Sequence, residues 1–253
     1  HIAGEKFVAL GVNRAGVLKG APLTRRVVAK KARGGYRLTG TLPWATGALY
    51  ADELLASADL ADRTQCFFYL PMALPGIAVG EPMRLQALTR TCSSVVTFEN
   101  VFVPDSSQLG SFEYDSLVIP NPTRMWVTAA MGLGVLDRAL ESFTGKGSFA
   151  EQCLDQFSYV SEQIQRELDH EMSIENGTNE RAENLRLRTN ILLQTTSEAL
   201  LLIARGSGFE ESHEVATVTS QMRFFTVFTM PKSLIRKSEE EFSLKLRSFG
   251  KGS

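Results

Sequence analysis

The residues best suited to chemistry lie in one stretch, Gly35-Tyr-Arg-Leu-Thr-Gly-Thr-Leu-Pro-Trp44-Ala-Thr46-Gly-Ala, followed closely by Ala51-Asp52. It reads as a strand, a glycine turn and a second strand ending in an indole beside a hydroxyl. A broad aromatic face next to a hydrogen-bonding group suits a flat ligand with polar edges, such as an isoalloxazine. The same residues also allow a plainer reading, with Trp44 a core aromatic and Thr46 an ordinary strand hydroxyl. Further on, Val95-Val-Thr-Phe-Glu-Asn-Val-Phe-Val-Pro104-Asp105 alternates as a strand does and stops at proline.

Other reactive side chains form no constellation of their own. The histidines are His1, His170 and His213. His170 lies in Asp169-His-Glu171 on a charged helical face, where a solvated role is the simpler one. His213 falls at a helix start and is the weak candidate for catalysis; no carboxylate base stands out. The cysteines Cys66, Cys92 and Cys153 are widely spaced, without the pairing a zinc site or a disulfide framework needs. They point to reduced thiols and a cytoplasmic protein. Gly132-Leu-Gly134 sits inside a helical pattern and is expected to serve helix packing; Gly206-Ser-Gly208 reads as a break between helices. Asn176-Gly-Thr178 matches a glycosylation sequon by chance in a polar turn.

The chain has 253 residues, with 27 basic and 28 acidic side chains. Charges that nearly cancel give no electrostatic case for nucleic acid or an anionic membrane. The run Arg25-Arg26, Lys30-Lys31 and Arg33 is read as the solvated face of a strand. No apolar run approaches the roughly 18–20 residues of a membrane helix, and no signal peptide is visible. The chain opens on His1-Ile-Ala-Gly, which reads as a fragment or a processed chain.

Two regions must position these residues. Residues 1–115 carry short β-branched runs broken by Gly and Pro, namely Phe7-Val-Ala-Leu, Arg26-Val-Val-Ala, Tyr36-Arg-Leu-Thr, Cys66-Phe-Phe-Tyr-Leu, Ile77-Ala-Val and Val95-Val-Thr-Phe. They suggest an antiparallel β-barrel or sandwich. Ala48 to Leu60 is ambiguous between helix and strand. Residues 116–253 change to helical spacing: Met125 to Phe143, Gln152 to Met172, Glu180 to Ile203, and Val215 to Lys237, the last ended or kinked by Pro231. Beyond Ser238 the chain is charged and shows no clear apolar face. The fold class is therefore α+β and multi-domain, a β-domain followed by an up-down helical bundle.

The ordered set Gly-Tyr-x-Leu-x-Gly, Trp-x-Thr-Gly-Ala, Ala51-Asp52 and Val-x-Phe-x-x-Val-x-Val-Pro, with Leu109-Gly110 after it, resembles the middle β-domain of the acyl-CoA dehydrogenase superfamily. The helical half resembles that family's C-terminal bundle; its N-terminal helical domain finds no counterpart in these residues. The resemblance makes Ala48–Leu60 a strand after a short turn. It implies an FAD or FMN cofactor, with Trp44 on the ring, Thr46 near its reactive edge and Gly47 beside them. Arg205 and Arg223 are the cationic candidates for the flavin phosphates, because a guanidinium fork matches phosphate oxygens.

Several family features are missing. Ala9-Leu-Gly-Val-Asn13-Arg14 lacks the hydroxyl and carboxylate pattern of the first flavin-binding strand. Leu140-Glu-Ser-Phe-Thr-Gly lacks the Arg-x-x-Phe-Gly that grips the pyrophosphate. The usual carboxylate base is absent, and Pro122-Thr-Arg124-Met-Trp supplies no alternative. Gln221-Met-Arg223-Phe-Phe-Thr-Val-Phe-Thr-Met-Pro231 is closer to the bundle of two-component flavin monooxygenases, which often carry a histidine where Phe228 falls. The resemblance thus implies a flavin-dependent oxidoreductase, for acyl-thioester α,β-dehydrogenation or reduced-flavin monooxygenation of an aromatic substrate. A separate flavin reductase and a homodimer or homotetramer are the implied partners. The alternative is a degenerate, non-catalytic member kept as a binding or assembly scaffold.

Overall fold

The computed structural model describes residues 5–12, 26–60, 64–113, 122–174, 178–228 and 230–249. Asn13, Arg14, Arg25, Asn176 and Gly177, which the sequence reading used, lie outside them, as does His1. The chain divides into two compact units, His1–Ile119 and Pro120–Ser253.

The first unit is an eight-stranded sheet: β1 (Val8–Gly11), β2 (Val28–Ala32), β3 (Gly35–Ala45), β4 (Glu53–Asp59), β5 (Thr64–Pro71), β6 (Ile77–Val79), β7 (Ser94–Pro104) and β8 (Gln108–Glu113), in the order β6-β7-β3-β2-β4-β5-β8. Most pairs are antiparallel, but the sheet is mixed, which corrects the purely antiparallel expectation. β1 runs parallel to β4 from Val8↔Glu53 to Gly11↔Ala56, and β2 meets β4 in parallel at Val28↔Asp59. A parallel pair needs a crossover, and here the β2–β3 hairpin provides it. Ala48–Tyr50 is a 3₁₀ turn leading into β4, so the ambiguous stretch is a turn and a strand.

The Gly-Tyr-x-Leu-x-Gly motif has a packing explanation. A Cβ on Gly35 would stand 2.0 Å from the Val103 carbonyl oxygen, and one on Gly40 1.8 Å from that of Arg26. Between them Tyr36 and Leu38 are buried, and the Tyr36 hydroxyl donates to Gln108 Oε1 at 3.0 Å. The Phe-x-x-Val spacing of β7 also has a cause. Leu38 pairs with Val101 but Gly40 with Phe98, so β7 carries one extra residue there. Asn100, at φ +52, takes up the bulge, and Phe98 and Val101 both stay in the core.

The second unit has five helices: α1 (Pro122–Leu140), α2 (Ser148–Ser173), α3 (Asn179–Ala204), α4 (Glu214–Val227) and α5 (Lys232–Phe249). α3 packs against the other four and is buried on several faces. Gly132 meets it closely, since a Cβ there would lie 3.0 Å from Leu193; Gly134 faces open space and takes no part. The stretch Val215 to Lys237 breaks into two helices just ahead of Pro231, as the proline implied, and the second runs on through the charged residues to Phe249. Pro231 precedes the start of α5, where its carbonyl accepts from Ile235 N and its missing N–H costs nothing. No described helix is long and apolar enough to cross a membrane.

α5 is fastened through Glu183 of α3, which accepts from Lys237 Nζ at 2.6 Å and from the Ser233 hydroxyl. Burial works to raise the Glu183 pKa, but these bonds outweigh it and hold the carboxyl below its ordinary 4.5. A carboxyl with a depressed folded pKa stabilises the fold above its unfolded value and loses that contribution as pH falls through the folded one. Amide protection of α5 is therefore expected to drop relative to α3 as pH falls below 4.5. Glu183→Gln should show the weakened protection already at neutral pH, measured by hydrogen exchange.

Candidate functional site

The β3–β7 ladder carries a second bulge at the site itself. Leu42 pairs with Val96 and Ala45 with Ser94, so β3 has the extra residue, at Pro43–Trp44. Without it Trp44 would follow Leu42 into the core. With it Leu42 and Ala45 are buried and Trp44 is turned out, its surface 56% exposed. The plainer reading of Trp44 as a core aromatic is therefore overturned. Thr46 is exposed as well, on the same side as Trp44 with buried Ala45 between them. Leu10 bridges to Thr46 and is also exposed, adding an apolar neighbour to this face.

Gly47 closes the site. It adopts φ +73, its N–H donates to the Thr91 carbonyl at 2.9 Å, and a Cβ would come within 2.7 Å of the Phe7 ring. Asp52 explains the Ala-Asp motif: its carboxylate accepts from Phe7 N at 2.8 Å and its own N–H donates to Phe7 O at 2.9 Å. These bonds hold the segment entering β1 against the turn after Trp44.

Behind Thr46 lies a group of hydroxyls that the sequence reading missed. Ser93 Oγ is 3.4 Å from Thr46 Oγ1 and 3.0 Å from Thr91 Oγ1. The run Thr91-Cys-Ser-Ser94 ahead of β7 was the only signal for it. An exposed indole, an adjacent exposed hydroxyl and a left-handed glycine fit the ring end of a flavin.

The structure thus brings Trp44, Thr46 and Gly47 together on one face of the sheet. The other candidates belong to the bundle. Arg223 is exposed on α4, and Arg205 is exposed at the end of α3 with φ +54. His213 is the N-cap of α4, where its Nδ1 accepts from Val215 N at 3.2 Å. That bond gives it a structural task. His170 is exposed on α2 beside the ion-paired Glu171. Among the described residues no group of three or more His, Cys, Asp or Glu could hold a metal.

No family model matches the chain. A 116-residue segment, 44% of this chain, is 33% identical to the benzylmalonyl-CoA dehydrogenase of Aromatoleum aromaticum and spans 31% of that protein. Among solved structures, a putative acyl-CoA dehydrogenase from Mycobacterium smegmatis matches with a TM-score of 0.76 at 14% identity, over 99% of this chain and 70% of that one. A glutaryl-CoA dehydrogenase from the same organism, solved with FADH2, matches with a TM-score of 0.73 at 18% identity, over 89% of this chain and 62% of that one. The fold is that of the acyl-CoA dehydrogenase superfamily, as the motifs implied.

His213→Ala should cost about 1 kcal/mol of bundle stability, the usual worth of an N-cap. His213→Asp should recover it, because aspartate is a better cap and sits favourably at a helix N-terminus. Thermal unfolding of the two variants checks both.

Proposed function

We propose that this chain, which carries the acyl-CoA dehydrogenase fold through its β-domain and bundle, binds FAD on the Trp44 face and acts as a flavin-dependent dehydrogenase of acyl-CoA thioesters. One observation carries the reading: the β3 bulge turns Trp44 out of the core beside the exposed Thr46 hydroxyl. The bulge gives up the burial of a large aromatic, and with Leu10 beside it Trp44 forms an exposed apolar face that a flat ligand would cover.

A bound flavin would supply the acceptor for a hydride leaving the substrate's β-carbon, and the α-proton lost with it would have to go to a base that the motifs of this chain do not supply. The chain's own residues bind and orient it. Trp44 would pack against its ring, and the Thr46 hydroxyl would hydrogen-bond to it. The relative named for benzylmalonyl-CoA supports an acyl-CoA substrate, and the solved neighbour with FADH2 supports FAD over FMN. The relative named for benzylmalonyl-CoA favours dehydrogenation over the oxygenation that the bundle motif implied; Phe228, packed on Phe224 with ring centroids 4.9 Å apart, stands where the oxygenase-type bundle often carries histidine.

Val127 and Met131, one turn apart on α1, are exposed and give the bundle an apolar strip for a homodimer or homotetramer. The unpaired thiols of Cys66, Cys92 and Cys153 suit a cytoplasmic setting.

Titration with FAD and with FMN, followed by flavin absorption and tryptophan quenching, tests this reading. FAD is expected to bind more tightly than FMN. Trp44→Ala should weaken FAD binding about tenfold or more, equivalent to about 1.4 kcal/mol. A folded chain that binds neither flavin, oxidised or dithionite-reduced, contradicts the oxidoreductase reading and leaves a scaffold.

A further inference from the structure

We propose that Ser93 is a positioning residue for the ligand-facing hydroxyl of Thr46, through a three-hydroxyl relay Thr91–Ser93–Thr46 whose proton order sets which redox form of the flavin this face prefers. The inference rests on the flavin reading above and adds to it a residue and a role.

Ser93 is 4% exposed, yet its hydroxyl points at two others instead of at backbone. A hydroxyl has one proton to give and two lone pairs to receive with. With Ser93 donating to one of its two neighbours, the three groups have two orders. In one, Thr91 donates to Ser93 and Ser93 to Thr46, which leaves the Thr46 proton free to point outward. In the other, Thr46 donates to Ser93 and Ser93 to Thr91, which leaves Thr46 lone pairs facing out. The Thr91 contact, at 3.0 Å, is within ordinary O–H···O reach while the 3.4 Å to Thr46 is long for one, so Ser93 is anchored at its inner end and the outer link would shorten when Thr46 meets a ligand.

The loop that carries the relay is pinned on both sides. The Thr91 carbonyl accepts from Gly47 N and the Ser93 carbonyl from Met83 N, each at 2.9 Å. Leu88 at φ +55 and Cys92 at φ +45 flank it in the left-handed region, unusual for residues with a Cβ. Such backbone persists only where surrounding contacts impose it, and it clusters at ligand sites.

An oxidised isoalloxazine offers a nitrogen acceptor at its reactive edge; the reduced ring offers an N–H donor there. The first order of the relay complements the oxidised ring and the second the reduced one. The consequences of losing Ser93 are unequal. Facing the oxidised ring, Thr46 would lack only one donor behind it. Facing the reduced ring, its own inward proton would have no acceptor, and a donor left unpaired beneath the bound ring, cut off from water, is the costlier defect.

Ser93→Ala should therefore weaken binding of reduced FAD about tenfold more than binding of oxidised FAD. By linkage that lowers the two-electron midpoint potential by about 30 mV. Thr91→Val, which removes the acceptor at the inner end while keeping the side-chain shape, should shift it the same way. Ser94→Ala is the control: its hydroxyl donates to the Cys92 carbonyl and stands outside the relay. The potentials are read by dithionite titration against a reference dye, with thermal unfolding of each variant alongside. Shifts in the Ser93 and Thr91 variants without one in the control support the relay. An unchanged potential in Ser93→Ala, or an equal shift in Ser94→Ala, overturns it while leaving flavin binding intact. If Ser93→Ala does not fold, Thr91→Val decides alone. A wild-type chain that binds no flavin overturns the binding reading and the relay together.

Discussion

The site depends on how β3 and β7 pair. An antiparallel ladder fixes the side-chain alternation of both strands, and each bulge in it reverses that alternation beyond the insertion. This ladder has two, with the extra residue first on β7 near Asn100 and then on β3 at Pro43–Trp44. The first keeps Phe98 and Val101 in the core; the second sends Trp44 out and Ala45 in. Gly35 lets β3 approach β7 closely enough for this pairing, and Gly40 makes room for the Arg26 carbonyl ahead of β2. The exposed indole, the hydroxyl beside it and the turn at Gly47 are consequences of that register.

The bundle depends on a different constraint, the burial of polar groups in α3. Arg186 is 1% exposed, and its guanidinium donates to the carbonyls of Phe225 and Phe228 at the end of α4. Asn190, one turn further along, donates to the Thr226 carbonyl at 3.1 Å. The last carbonyls of a helix lack intrahelical partners and carry its negative end, so a cation and an amide there satisfy both needs. Burial lowers the Arg186 pKa to about 10, a measure of the desolvation that these bonds offset. With its end capped in this way, α4 stops at Val227 and the chain restarts at Pro231 as α5.

Where a local pattern decides the structure, the sequence is legible. Alternation located most strands, and helical spacing located four of the five helices. Trp44, Thr46 and Gly47 were singled out through the Trp-x-Thr-Gly-Ala motif and its family resemblance; the residues alone left Trp44 open between a core and a ligand-facing role. The relay was not legible, since Ser93 meets Thr46 only through the β3–β7 pairing and nothing local marks that contact. Nothing in the helical pattern of Glu180 to Ile203 marks Arg186 as buried, because its burial comes from the four helices packed around α3. The parallel placement of β1 was also hidden, because it depends on a crossover and not on either strand's own pattern. α5 was missed because its charged residues obscured the anchor, buried Leu234, and the Lys237 contact to Glu183.

The account centres on the Trp44 face as the flavin site. Its most direct test uses the chain's two tryptophans, one exposed and one buried. Labelled with 5-fluorotryptophan, Trp44 and Trp126 should give separate fluorine resonances, assigned with Trp44→Phe. On titration with FAD, the Trp44 resonance should shift saturably while that of buried Trp126 holds its position. A Trp44 resonance that stays fixed while FAD binds would place the flavin elsewhere and contradict the account.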